Sequence, residues 1–312
     1  MSKSYSYSPT WRLISVIVLR PLLLLLIRNK WEGRKNIPKT GGIILAPNHL
    51  SYADWGTDAL FFYQSRRYPT FLIKAEAFGV KGIGPFLYKA GQLPVNRGRA
   101  DAALVLKEAE KALTAGAAVV IYPEATATRD PDLWPMVAKT GAARLALMTG
   151  APVIPVAHWG THDILPYGSK KVRLFPRKTV RTVAGPPVDL SQWAGQATSA
   201  KALRAATAAI MSDVTALVAQ LRGEQPPAVP YDPSSVSRTG GAVSAAPTVA
   251  PPAVAGAEPA DGDARPEPLA GDDPRTPDTA LPLAGDDPRT PDTALPLAGD
   301  DPRTPDKAAG QA

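Results

Sequence analysis

The sequence predicts an α/β domain with a mainly parallel central sheet flanked by helices, an N-terminal membrane-associated helical segment and a disordered C-terminal tail. Between residues 42 and 190, short apolar runs alternate with stretches of helical periodicity. Such alternation is typical of a parallel sheet whose crossover helices cover its faces. An apolar stretch lies near the N-terminus, and the composition changes sharply near residue 224. We therefore divide the chain into residues 1–35, 36–224 and 225–312.

The N-terminal segment is apolar but interrupted. Residues 11–27 contain two apolar runs separated by Arg20 and Pro21. Because a membrane-spanning helix needs about 20 apolar residues, we expect a monotopic helix that lies in one leaflet. Its basic flanks would meet anionic headgroups, with Trp11 and Trp31 at the interface. A helix packed into the protein core is the alternative. No small-residue cleavage site follows, so we expect no signal peptide.

The middle segment supplies the predicted strands and helices. The strands are residues 42–46, 70–74, 117–122, 152–157, 171–175 and 179–184. The helices are residues 54–65, 84–90, 99–115, 137–149 and 199–222. Gly116 follows the third helix and is typical of a helix C-terminal cap.

Charge is distributed unevenly along the chain. Residues 1–225 hold 29 Lys and Arg against 14 Asp and Glu, whereas residues 226–312 hold 6 against 14. A basic body indicates an anionic partner. The acidic end contains a 14-residue repeat that starts at Pro268, Pro282 and Pro296. Frequent prolines and scarce aromatics cannot bury enough surface to offset the entropy of ordering, so we predict disorder there.

The chain has no cysteine and three histidines. The missing cysteines exclude disulfides, thiolate nucleophiles and Cys-ligated zinc, and they are consistent with a cytoplasmic location. His158 and His162 are four residues apart, which on a helix would suit a metal. The run that precedes them is strand-like and no recognised zinc motif accompanies them, so we predict no metal site.

A histidine and an aspartate follow the first predicted strand. His49 and Asp54 lie in the sequence Asn-His-Leu-Ser-Tyr-Ala-Asp, directly after the apolar run 42–46. The pair therefore sits where a strand ends and a helix begins. A neutral imidazole held by a carboxylate takes a proton from an alcohol near neutral pH. By itself the pair is weakly specific, because these residues occur at this spacing by chance.

Three further sequence blocks follow in order. They are residues 91–97 (Gly-Gln-Leu-Pro-Val-Asn-Arg), 121–126 (Ile-Tyr-Pro-Glu-Ala-Thr) and 153–157 (Val-Ile-Pro-Val-Ala). With the His49 block, they resemble the four motif blocks of the glycerophospholipid acyltransferase family, whose bacterial type is the 1-acylglycerol-3-phosphate acyltransferase. The resemblance covers roughly residues 11–190, and four blocks in order are far more specific than one.

The resemblance implies a role for each matched residue. His49 is the general base that deprotonates the free hydroxyl of a glycerol phosphate, which then attacks an acyl thioester. Asp54 holds the imidazole tautomer and stabilises the imidazolium. Arg97 binds the acceptor's phosphate, because a planar guanidinium grips two oxygens of a dianion. The residues implied in substrate binding are Asn48, Lys74, Arg97, Glu124, Thr126 and Arg129. For Glu124, a plain ion pair with a nearby arginine is the alternative.

The third block departs from the family pattern. The usual form is Phe-Pro-Glu-Gly-Thr-Arg, whereas this chain has Ala125 in place of the glycine and Ala127 in place of the arginine. The first change matters if the backbone needs a positive φ. The second removes a phosphate-binding cation, for which Arg129, Lys139 or Lys74 would have to substitute. The departure affects the predicted identity of the acceptor more than the predicted type of reaction.

The implied activity is acyl transfer from acyl-CoA or acyl-carrier protein to lysophosphatidate, giving phosphatidate at the cytoplasmic face of the membrane, with the phospholipid surface as a partner. Such a reaction needs no cofactor, metal or enzyme nucleophile. Glycerol-3-phosphate, another lysophospholipid or a glycolipid are alternative acceptors, and a non-catalytic membrane-binding protein is the alternative class. Nucleic acid is not an expected partner, because the basic residues 170–181 lack stacking aromatics and a recognition motif.

Overall fold

A single sheet of seven strands organises the part of the chain that this computed structural model describes, residues 6–95 and 99–238. The strands are β1 (Ile27–Glu32), β2 (Ile43–Pro47), β3 (Pro69–Lys74), β4 (Leu93–Val95), β5 (Ala118–Val120), β6 (Val153–Trp159) and β7 (Lys178–Ala184). Their order across the sheet is β1-β7-β6-β2-β5-β3-β4. All neighbours are parallel except β6 and β7, which are antiparallel. The predicted α/β class and mainly parallel sheet are confirmed.

Helices cover both faces of this sheet. They are α1 (Pro9–Leu26), α2 (Asp54–Gln64), α3 (Ala75–Phe78), α4 (Ile83–Lys89), α5 (Arg99–Thr114), α6 (Gly141–Thr149), α7 (Ala200–Arg222) and α8 (Pro233–Arg238). The central strand β2 is buried along its whole length. Its side chains alternate between the two faces. Ile44 packs in the cluster formed by α5, α6 and α7, and Leu45 packs in the cluster formed by α2.

The helix α1 runs continuously through Pro21. It packs against α2 and α4, but Ser15 is its only buried residue. Six of its apolar side chains are exposed: Leu13, Ile14, Ile17, Val18, Leu22 and Leu25. Two helices, α1 and α7, have the length and apolar composition to cross a membrane within the described residues, and much more of α7 is buried inside the protein. The exposed apolar surface of α1 allows membrane association.

One predicted strand is absent and the edge strand β1 was not predicted, in both cases because tertiary pairing decides edge strands. Residues 171–175 were predicted as a strand from alternating apolar and basic residues, yet they form no strand and are mostly exposed. The edge strand β1 was not predicted, because its sequence Ile-Arg-Asn-Lys-Trp-Glu is largely polar. It forms by parallel pairing with β7. An edge strand tolerates exposed polar side chains, so its hydrophobic signal is weak.

Smaller differences occur at the ends of elements. The predicted helix 137–149 begins only at Gly141, because the N–H of Lys139 donates instead to the carbonyl of Pro123, 2.9 Å away. The strand β4 has three residues, too few for a periodic signal. The helix α8 lies within the predicted tail, and the carbonyl of Tyr231 just before it accepts a hydrogen bond from the N–H of Val137, 2.9 Å away. The repeats lie outside the described residues.

Candidate active site

The candidate site lies at the carboxyl ends of three neighbouring strands. β2 is followed at once by Asn48 and His49, β5 leads into the loop that carries Glu124, and His158 is near the end of β6. Because β2 pairs in parallel with both β5 and β6, these three ends meet at one edge of the sheet. Ligands of open α/β sheets bind at this edge.

His49 and Asp54 form the predicted pair. The Nδ1 atom of His49 lies 2.7 Å from Oδ2 of Asp54. The same oxygen accepts the backbone N–H groups of Leu50, at 2.7 Å, and Ser51, at 2.9 Å. Asp54 is fully buried at the start of α2, where the helix dipole favours a negative charge. The His49 side chain is 14% exposed, so the imidazole reaches the surface while its carboxylate does not.

A second histidine lies behind this pair. His158 is fully buried, with Nε2 3.1 Å from Oδ2 of Asp54 and Nδ1 3.0 Å from Oδ1 of Asp58. The Nδ1 contact is a hydrogen bond, whereas Nε2 lacks hydrogen-bond alignment. The other oxygen of Asp58 accepts the hydroxyl of Tyr122, 2.8 Å away. Two carboxylates that face both nitrogens of an imidazole ring stabilise its doubly protonated form.

The charges of Asp54, Asp58 and His158 shift the pKa values of His158 and Asp54. Burial favours neutral His158, but the negative charges of Asp54 and Asp58 outweigh burial and raise the pKa of His158 well above its usual value. Burial likewise favours protonated Asp54, but the positive charge of His158 and the hydrogen bond from His49 lower the pKa of Asp54 below its usual value. The imidazolium of His158 therefore keeps the Asp54 carboxylate ionised at neutral pH.

Tyr122 links the buried group to the imidazole of His49. Its ring stacks on that of His49 with 4.3 Å between centroids and 26° between planes. Burial and the negative charge of Asp58 raise the pKa of Tyr122 well above its usual value, so its hydroxyl stays a donor to Asp58. Tyr52 approaches His49 from another side in an edge contact, with 6.5 Å between centroids. Aromatic rings thus restrict the orientation of His49.

Asn48 and Glu124 hold the backbone around His49. The amide of Asn48 donates to the carbonyl of His158 at 3.1 Å and accepts its N–H at 2.8 Å, which ties the end of β2 to β6. The two carboxyl oxygens of Glu124 accept the N–H groups of His49, at 2.9 Å, and Met136, at 3.0 Å. Both side chains are almost wholly buried. The structure therefore places them as supports of the backbone, and among the described residues no arginine forms an ion pair with Glu124.

The altered third block lies directly against His49. The carbonyl of His49 accepts the N–H of Thr128 at 2.7 Å. Ala125 has a φ of +63°, so the position does need the conformation that a glycine adopts easily. Ala127 is fully buried, and an arginine would not fit there without displacing its neighbours. Thr126 is half-buried and Arg129 is exposed.

Two further predicted cations are Lys74 and Arg97. Lys74 is exposed at the end of β3. Arg97 lies outside the described residues, so its role stays a prediction. The structure thus brings together His49, Asp54, Asn48 and Glu124.

Sequence reasoning missed three residues of the site. Asp58 follows Asp54 by four positions, which puts both carboxylates on one face of α2, and this spacing was a usable signal. Tyr122 and His158 carried no such signal, because only the pairing of β2 with β5 and β6 brings them to Asp58.

Comparisons with known proteins place the same region of the chain in an acyltransferase domain. Residues 28–159 match the family model described as Acyltransferase. The match contains the His49 block and the three other blocks. The predicted resemblance to acyltransferases is confirmed for this part of the chain.

Several relatives share a single name. A chloroplastic 1-acyl-sn-glycerol-3-phosphate acyltransferase, BAT2, from Brassica napus is 32% identical over 143 residues, which are 45% of this chain and 40% of that protein. The 1-acyl-sn-glycerol-3-phosphate acyltransferase of Bacillus subtilis is 29% identical over 167 residues, 53% of this chain and 76% of that one. The match therefore spans less than half of the plant protein.

A solved structure confirms the fold. It is the 1-acyl-sn-glycerophosphate (LPA) acyltransferase PlsC from Thermotoga maritima, with a TM-score of 0.54 and 23% sequence identity. The alignment covers 69% of this chain and 83% of that one.

The backbone at Ala125 yields a stability prediction. A non-glycine residue in the left-handed region costs about 1–2 kcal/mol, and the extra freedom of an unfolded glycine takes back about 0.5–1 kcal/mol. We expect Ala125→Gly to raise the free energy of unfolding in urea, by up to about 1 kcal/mol. Ala138→Gly, in the same loop but without positive φ, is the control and should lower it. A loss of stability in Ala125→Gly would contradict the assigned conformation.

Glu124 yields a pH prediction. Burial outweighs the two backbone donors and raises its pKa to about 8. Between the usual carboxyl pKa and pH 8, the folded state therefore keeps a proton that the unfolded state has released, and stability falls as the pH rises. Glu124→Gln removes this titration. We expect the free energy of unfolding of the wild type, relative to that of the variant, to fall across this range. A pH-independent difference between the two proteins would contradict the raised pKa.

Proposed function

We propose that this protein transfers a fatty acyl group from an acyl thioester to the free hydroxyl of 1-acylglycerol-3-phosphate, producing phosphatidate. The observation that carries the proposal is the partly exposed imidazole of His49 on a fully buried, ionised Asp54. Relatives that carry the same domain are named for this reaction. The proposal concerns the acyltransferase domain. We extend it to the activity of the whole protein.

The geometry suits general-base catalysis. With Nδ1 of His49 donating to Asp54, Nε2 carries the lone pair that accepts the acceptor's hydroxyl proton. The hydroxyl oxygen attacks the thioester carbonyl, and a tetrahedral intermediate forms. Its collapse breaks the carbon–sulfur bond, and the imidazolium returns the proton to the thiolate. Asp54 stabilises the transient imidazolium.

Exposed cations are proposed to bind the acceptor's phosphate. Ala127 offers no cation and is buried, so the charge must come from elsewhere. Arg129 follows the loop that bonds to the His49 carbonyl, and Lys74 ends a strand of the same sheet. We assign these two residues, with Arg97 and Thr126, to the acceptor site. A lysophosphatidate, glycerol-3-phosphate or another lysophospholipid would each present a phosphate to them.

The location proposed for the reaction is the cytoplasmic face of the membrane. The exposed apolar side chains of α1 would lie in one leaflet, so that a lipid acceptor diffuses to His49 without leaving the bilayer. The thioester donor, acyl-CoA or acyl-carrier protein, would arrive from the water. Both are acidic, which suits the basic body of the chain.

An apolar cavity beneath α1 is proposed to hold the acyl chain. It is lined almost entirely by apolar atoms of α1, α2, β3 and α4, among them Leu19, Ala59, Phe71 and Phe86. Trp55, the residue after Asp54, also lines it, so the cavity lies next to the catalytic helix. The depth of such an apolar cavity would limit the length of the acyl chain that it holds.

The base assignment is tested with two histidine variants. We expect His49→Ala to lower acyl transfer about a hundredfold to ten-thousandfold, with membrane association unchanged. His162→Gln, which lies outside the Asp54 group, should retain activity. The measurement is transfer from one labelled acyl thioester to a panel of acceptors: lysophosphatidate, glycerol-3-phosphate, other lysophospholipids and a glycolipid. Equal turnover by His49→Ala would exclude His49 as the base. Absence of transfer by the wild type to every acceptor would favour a non-catalytic membrane-binding protein.

The cavity assignment is tested by filling it. Ala59→Phe adds a ring to the wall of the cavity, so the variant should shift its preference toward shorter acyl thioesters. Ala216→Phe, on an exposed face of α7, is the matched control and should leave the preference unchanged. The measurement is relative kcat/KM over a series of chain lengths. An unchanged chain-length profile in Ala59→Phe would place the acyl chain elsewhere.

A further inference from the structure

The segment between β6 and β7 combines exposed cations with exposed apolar side chains. Lys170, Lys171 and Arg173 are exposed, and Val172 and Phe175 are 58% and 76% exposed. No acidic residue occurs from position 164 to 188. A solvated loop usually mixes both signs of charge and buries its aromatic residues. This composition instead matches a segment that meets an anionic interface.

One end of the segment is fixed at the mouth of the active site. The hydroxyl of Ser51 donates to the carbonyl of Leu165, 2.6 Å away. Two residues later, the ring of Tyr167 lies against that of Tyr52 with 6.2 Å between centroids. Tyr52 in turn contacts His49. Two aromatic contacts, Tyr167 with Tyr52 and Tyr52 with His49, therefore connect the start of the segment to the catalytic imidazole.

The other end is fixed to the C-terminal end of α1. The guanidinium of Arg177 donates to the carbonyls of Leu24, at 2.8 Å, and Ile27, at 3.1 Å. Leu174 packs in the small cluster that includes Leu23 and Ile27. Its neighbour Phe175 is thus exposed beside the end of α1. The exposed side chains of Leu22 and Leu25 belong to this same end of the helix.

We propose that residues 165–177, here named the docking strap, bind anionic phospholipid headgroups and hold the mouth of the His49 site at the surface of the bilayer. This inference rests on the proposed function, because it places the site where a lipid acceptor arrives. Lys170, Lys171 and Arg173 contact headgroup phosphates, each cation contributing about 1 kcal/mol near an anionic surface. Phe175 and Tyr167 lie at the interface, where aromatic rings are favoured. The strap joins α1 to the active site and so sets the height of His49 above the bilayer.

The test compares two triple variants of the full chain. The strap variant is Lys170→Gln, Lys171→Gln and Arg173→Gln. The control removes three exposed cations from α5 and α7, through Lys107→Gln, Lys201→Gln and Arg204→Gln. Binding is measured to phosphatidylcholine vesicles with and without added phosphatidylglycerol. We expect the strap variant to lose up to about a hundredfold in binding to the anionic vesicles, since three cations at about 1 kcal/mol each give that factor. Its binding to neutral vesicles should be unchanged, because α1 remains.

The control variant should bind anionic vesicles like the wild type within a few-fold. Equal losses in both triple variants would overturn the proposal, since net charge alone would then explain binding. Retained anionic binding by the strap variant would also overturn it. If that variant instead showed only a raised KM for acyl-carrier protein, the strap would face the acidic carrier and not the bilayer. Phe175→Ser supplies a second probe and should weaken binding to both kinds of vesicle.

Activity separates this inference from the proposed function. The strap variant should transfer acyl groups to a monodisperse short-chain lysophosphatidate at the wild-type rate but lose transfer to an acceptor embedded in anionic vesicles. Loss of both activities would assign the three cations to the catalytic site and overturn the docking role. If the wild type transferred no acyl group at all, the proposed function would fail, while the vesicle measurements would still decide the strap.

Discussion

The buried carboxylate of Asp54 is the constraint on which the site depends. One of its oxygens lies against Nδ1 of His49, two backbone N–H groups and the ring of His158. A charge taken out of water is costly unless it is paired and hydrogen-bonded, and here backbone, helix dipole and imidazolium share that stabilisation. The carboxylate therefore stays ionised at neutral pH and keeps the His49 tautomer in which Nε2 accepts a proton.

The sheet explains how distant parts of the chain reach this carboxylate. Parallel pairing brings the ends of β2, β5 and β6 to one edge, and α2 starts from that edge with Asp54 and Asp58 one turn apart. Asn48 then ties the end of β2 to the backbone of His158, and Glu124 holds the backbone N–H of His49. From the same edge the docking strap leads to α1. The pair of His49 and Asp54, the residues that support it, residues 165–177 and α1 are thus parts of one connected framework.

The sequence predicted what depends on local pattern and missed what depends on tertiary pairing. The buried strand β2 followed by His49 and Asp54 is contiguous, so its signal was readable, and the need for positive φ at Ala125 followed from the glycine it replaces. The polar edge strand β1 forms only because β7 lies beside it. Likewise, His158 acquires its partners Asp54 and Asp58 only through the pairing of β2 with β6. Residues 171–175 alternate like a strand, but within the described residues they do not join the sheet, which is why that prediction was wrong.

We infer that His158 carries a positive charge behind the pair of His49 and Asp54. The chain has only three histidines, so a ¹⁵N-histidine NMR titration of the wild-type protein resolves each ring, with His49→Gln and His162→Gln giving the assignments. We expect His158 to stay doubly protonated at pH values where a free imidazole is neutral, because Asp54 and Asp58 raise its pKa. A His158 ring that titrates at or below the usual histidine pKa would contradict it, since Asp54 would then lack the charge that offsets its burial.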